Sequence, residues 1–96
     1  MPVYVVIDLD VKDAALFEQY KPGVPALVRR HGGEYLARGG RTETLEGNWR
    51  PGRLVLFQFP DARSVHAFFD DPDYQPLKAL RQRAATGNIV MVEGLE

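Results

Sequence analysis

Two segments of this chain are apolar on both faces, and that constrains its fold more than any motif does. In "VYVVIDLDV", residues 3–11, β-branched and aromatic residues predict a strand. Val3, Val5, Ile7 and Leu9 point one way; Tyr4, Val6 and Asp8 point the other. In "RLVLFQF", residues 53–59, Val55, Phe57 and Phe59 oppose Leu54, Leu56 and Gln58. A sheet with one face in water alternates apolar with polar residues. These strands need cover on both faces, yet 96 residues make a single domain, here taken as 1–96. Helices from the same chain can cover one face. The other calls for a second protomer, packed sheet on sheet in a twofold homodimer.

The rest of the chain supplies those helices. Asp13 is placed to cap a helix carrying Leu16, Phe17 and Tyr20 at helical spacing. "KPGVP" interrupts it, and Val24, Leu27, Val28 and His31 mark a second segment that Gly32 ends. Asp61 caps a third helical segment bearing Val65, Phe68 and Phe69. Asp71 and Pro72 restart the helix as cap and first helical residue, and Tyr74, Leu77 and Leu80 continue its stripe to Gly87. "NIVMVEG" is the last strand. The order is strand, helix, strand, strand, helix, strand. That predicts an α+β, ferredoxin-like βαββαβ fold: a four-stranded antiparallel sheet with helices on one face.

The glycine pair in "EYLARGGRTETLEGNW" can be read in several ways. A lone Arg-Gly-Gly is weak evidence for RNA binding. A phosphate loop needs a helix after the glycines, where strand-like "RTETLE" follows instead. A hairpin turn at the pair would leave "RTETLE" outside the sheet. A bulge within one long strand keeps it inside, with "GNWRPG" as the turn. Pairing outward from that turn places Gly40 opposite Phe59, leaving room for the ring, and carries residues 34–38 beyond the end of the next strand. Arg38 then lies towards the sheet end that carries Asp8.

Composition excludes several functions. With 13 acidic and 12 basic residues the net charge is −1, which argues against broad binding to nucleic acid or an anionic membrane. There is no cysteine, hence no thiol nucleophile or disulfide framework. The start of the chain does not read as a signal peptide and no run reads as a membrane span, so the cytoplasm is the default expectation. No nucleotide fingerprint, paired glutamates or Ser-His-Asp order is present, and the two histidines have no carboxylate at metal-ligand spacing. No cofactor or metal is expected.

The segments "GGEYLARGG", "LEGNW", "LVLFQFPDA" and "DDPDYQPLKALR", in this order, resemble the family called domain of unknown function 1330, over nearly the whole chain. The resemblance implies the dimeric α+β barrel, in which ferredoxin-like protomers pair through their sheets. Its wider superfamily includes cofactor-free monooxygenases, isomerases and ligand-sensing modules. It brings no settled catalytic residues, and fold alone does not assign function.

Candidate groups are few. His31 is either a general acid or base, or a helix-end residue that packs on the sheet and complements the dipole. Arg38 would bind a substrate carboxylate or form an ion pair with Asp8 or Asp61. Asp8 is a candidate base if buried, or an ion-pair partner. Tyr20 and Tyr74 are core rings whose hydroxyls can reach a ligand. Arg81, at the edge of a helix face, suits an anion contact or a salt bridge. His66 reads as a surface residue, and Trp49 as packing on a partner or over a pocket mouth. Three functions compete: a small-molecule enzyme without bound cofactor, a noncatalytic binding or sensing module, and a structural dimer with no site.

Overall fold

In the computed structural model, which describes residues 1–95, the elements follow the predicted order. They are β1 (Val3–Val11), α1 (Ala14–Tyr20), α2 (Val24–Arg30), β2 (Glu34–Arg38), β3 (Arg53–Phe59), α3 (Ala62–Asp70), α4 (Gln75–Ala84) and β4 (Ala85–Glu93). The strands form one antiparallel sheet in the order β2-β3-β1-β4. This is the ferredoxin-like α+β arrangement. The Asp13 and Asp61 side chains cap α1 and α3, accepting from Leu16 N–H and Ser64 N–H. "KPG" forms a 3-10 turn between α1 and α2, so the helix bends at its prolines and glycine without breaking.

The helices cover one sheet face. Val3, Val5, Ile7 and Leu9 of β1 and Val55, Phe57 and Phe59 of β3 are buried there, against Phe17, Val28, Val65, Phe68 and Tyr74. Each apolar side chain of this size contributes about 1.5–3 kcal/mol when fully buried. On the opposite face Tyr4, Val6, Leu54 and Leu56 are only half-buried. Their neighbours Val90 and Val92 on β4, paired with Val6 and Tyr4, are 57% and 51% exposed.

Several local expectations are overturned. "RTETLE" is not a strand: β2 ends at Arg38, and residues 40–52 form the connection to β3. The bulge lies at Leu36, between the pairs Tyr35–Phe57 and Ala37–Leu56, and not at the glycine pair. Residues 34–38 therefore lie alongside β3 and not beyond it. The glycine that makes room for the Phe59 ring is Gly33, where a Cβ would lie 2.6 Å from the ring; Gly40 has open space around it. Asp71 does not cap α4, which begins at Gln75 with Tyr74 before it. Gly87 does not end that helix: β4 starts directly at Ala85, and Gly87 pairs with Leu9 inside the sheet.

Candidate functional site

A cleft of about 380 Å³ opens between the first helical region and the sheet. Its floor is apolar, from Ile7, Leu9, Val55 and Phe57. Strand parity explains the floor, since these residues alternate onto the helix-facing side of β1 and β3. Its polar groups are Tyr20, Lys21, Tyr35, Arg38 and Arg53.

The bulge is what brings Tyr35 and Arg38 together. In a regular strand, residues three apart face opposite sides. The extra residue at Leu36 restores both to the helix-facing side, opposite Phe57 and Val55. Arg38 then lies over the Tyr35 ring, 4.5 Å from its centroid. The next residue, Gly39, donates its N–H to Leu54 O at 2.8 Å and turns the chain away with φ +69°. That left-handed conformation favours glycine. A Cβ there would also press into the Arg53 guanidinium, with its central carbon 2.9 Å away. Arg53 in turn lies 5.5 Å from the centroid of the Phe17 ring. Among the described residues neither Arg38 nor Arg53 forms an ion pair, whereas Lys21 is 3.0 Å from Glu18.

Tyr20 bridges the cleft to the core. Its hydroxyl is 2.9 Å from that of Tyr74, and both rings are buried. Burial, then the neighbouring Tyr74, pushes the Tyr20 phenol well above its ordinary range, so it stays protonated. Burial also raises the Tyr35 phenol, and the adjacent Arg38 guanidinium opposes that rise. Tyr74 itself does not line the cleft.

The remaining candidates lie elsewhere. His31 is at the end of α2, with its Nε2 2.8 Å from Asp71 Oδ2. Arg30 donates to the same oxygen at 3.0 Å and to Asp73 Oδ2 at 2.9 Å. Asp71 Oδ1 accepts from Asp73 N–H at 2.9 Å. The His31 hydrogen bond, then the Asp73 amide and Arg30, hold the Asp71 carboxyl down at about 2. This network ties α2 to the α3–α4 junction, and none of its members lines the cleft. Asp8 lies on the other sheet face, where its two oxygens accept from Trp49 Nε1–H at 2.7 Å and Gly52 N–H at 2.9 Å. Trp49 is thus held to its own chain's sheet while 57% exposed. Arg81 is outside the cleft lining, and its Nε is buried without a hydrogen-bond partner among the described residues. His66 is exposed on α3.

The sequence reading placed Tyr20 and Arg38 among the site candidates, and both line the cleft. It passed over Arg53, Tyr35 and Lys21. Arg53 was legible, because residues 53, 55, 57 and 59 share one face of a strand. Tyr35 was not, because the bulge sets its relation to Arg38. No group of three or more His, Asp or Glu side chains gathers as a metal site among the described residues. No helix is long and apolar enough to cross a membrane.

The fold and the cleft define a ferredoxin-like α+β protein with a cleft between helices and sheet. By sequence the chain belongs to the family described as Domain of unknown function (DUF1330), whose profile matches residues 2–95. No curated protein matches it. Among solved structures it is similar to the RPA0582 protein of unknown function from Rhodopseudomonas palustris. That match has a TM-score of 0.81 and 16% identity, covering 99% of this chain and 83% of the other. It is also similar to SnoaB, a cofactor-independent oxygenase from Streptomyces nogalater, with a TM-score of 0.66 and 15% identity over 99% and 94% of the two chains. A third similar structure is Rv0793 from Mycobacterium tuberculosis, with a TM-score of 0.58 and 16% identity over 100% and 97%. At these identities the likeness concerns the fold.

Proposed function

We propose that this protein binds a small organic molecule in the helix–sheet cleft, as a homodimer paired through its open sheet faces. One observation carries the reading: the cleft has an apolar floor and two arginine side chains at its wall without ion-pair partners among the described residues. Ligand sites combine an apolar lining with a few convergent polar groups in this way. A purely structural dimer would fill that space. The half-buried Tyr4, Val6, Leu54 and Leu56, with exposed Val90 and Val92, support pairing through the other face.

The polar groups favour binding over general acid–base catalysis. Among the described residues neither an imidazole nor a carboxylate lines the cleft, and Tyr20 is held protonated. An enzymatic reading has support from the fold shared with SnoaB, described as a cofactor-independent oxygenase. On that reading the cleft would act by stabilising developing negative charge with its guanidinium groups. A screen of small aromatic and aliphatic compounds by two-dimensional amide NMR tests the proposal. Saturable shifts at Tyr20, Tyr35 and Arg38 are expected from at least one chemical class. Shifts confined to the open sheet face would defeat it.

A further inference from the structure

The next step rests on the small-molecule reading above and specifies the ligand's chemistry. We propose that the cleft takes an organic anion with an apolar body, its charged group held jointly by Arg38 and Arg53.

The charge distribution is the first ground. The whole chain carries 13 acidic and 12 basic residues. The cleft is lined by Lys21, Arg38 and Arg53 and, among the described residues, by no acidic side chain. Lys21 is offset by Glu18, so the unpaired positive charge at the concavity is that of Arg38 and Arg53, over a low-dielectric floor that strengthens its field.

The second ground is how the two guanidinium groups are held. Arg30, by contrast, is committed to Asp71 and Asp73. Arg38 and Arg53 have no carboxylate partner among the described residues, and each lies against an aromatic ring that itself lines the cleft. A guanidinium resting on a ring keeps its N–H edges free, in the planar fork that matches a carboxylate. Stacking also limits the side-chain freedom lost when an anion binds. Gly39, which follows Arg38 in the chain, leaves the room that Arg53 occupies.

The third ground is the floor. Ile7, Leu9, Val55 and Phe57 offer no hydrogen bonds from their side chains, so the body of the ligand lying on them is apolar. Inorganic phosphate would satisfy the arginines and leave that surface wet.

The test uses 2-naphthoate, its neutral isostere 2-naphthamide, and inorganic phosphate as probes, with amide NMR titration of the full chain. The expected result is saturable shifts around Tyr35, Arg38 and Arg53, with naphthoate binding at least about tenfold tighter than naphthamide, as for a hydrogen bond to a charged group. Arg53→Gln should weaken naphthoate by about tenfold and leave naphthamide unchanged. Arg38→Gln, at an exposed strand end, provides the same comparison if Arg53→Gln does not fold. Equal affinity for naphthoate and naphthamide overturns the anion inference and leaves the small-molecule reading standing. Phosphate binding as tightly as naphthoate overturns the apolar body. No saturable shift in the cleft from any probe overturns the inference and counts against the reading beneath it.

Discussion

Arg38 lies over the ring of Tyr35, a residue only three positions earlier in the same strand, because a one-residue bulge at Leu36 turns both to the helix-facing side. A local backbone irregularity has thereby built one wall of a cleft. The contact is exposed on the arginine side, so its own contribution is modest, about 0.5–1 kcal/mol.

Arg38→Ala should therefore leave the fold intact while weakening, by about tenfold, the binding of an anion in the cleft proposed above, or lowering turnover of any substrate identified. Thermal unfolding should change by no more than that modest amount. Unchanged binding in a folded Arg38→Ala protein would exclude Arg38 from the site.

Tyr20 and Tyr74 share a buried hydroxyl–hydroxyl bond of 2.9 Å. Replacing either with Phe leaves the other hydroxyl buried without its partner, at a cost of about 1–3 kcal/mol. The double variant should cost less than the two single losses added together, with a coupling of about 0.5 kcal/mol or more by urea denaturation. Strict additivity would mean that the two hydroxyls do not depend on each other.

The Asp71 network predicts an acid response. The carboxyl is depressed from an ordinary 3.8 to about 2, chiefly by His31. A depressed carboxylate stabilises the fold fully above its unfolded value, and that contribution disappears as pH falls through the folded value. The loss thus falls between about pH 4 and pH 2. In His31→Ala the Asp71 midpoint should move up towards 3.8, read from side-chain carboxyl shifts by NMR. A midpoint that stays near 2 would credit the depression to Arg30 and the Asp73 amide instead.

The uncovered sheet face predicts association. Sedimentation at micromolar concentration should give twice the chain mass of 10.8 kDa. Val90→Lys should shift it to a monomer. Since Val90 is 57% exposed in the single chain, the substitution should change protomer stability by only about 0.5 kcal/mol. A wild-type monomer would remove the dimer proposal.

Trp49 is the sole tryptophan, so its fluorescence reports one place. Asp8 holds it through the indole N–H, and holds the end of the same connection through Gly52. Asp8→Ala should free the segment and lower the steady-state anisotropy of tryptophan emission. Unaltered anisotropy would show that other contacts fix the ring.

The two-faced apolar pattern of β1 and β3, the caps at Asp13 and Asp61 and the element order were legible in the chain, because each depends on residues close together in sequence. So was the side on which Arg53 lies, which follows from alternation alone. The bulge at Leu36 was not, since it exists only in the register of β2 against β3, and a shift of one residue exchanges the faces. Nor was the partner of His31, because Asp71 is 40 positions away and meets it only when α2 packs beside the α3–α4 junction. Local patterning sets which surfaces are apolar and where helices begin. The gathering of Arg38 and Arg53 around one cleft, and the meeting of His31 with Asp71, are decided by how those surfaces pack.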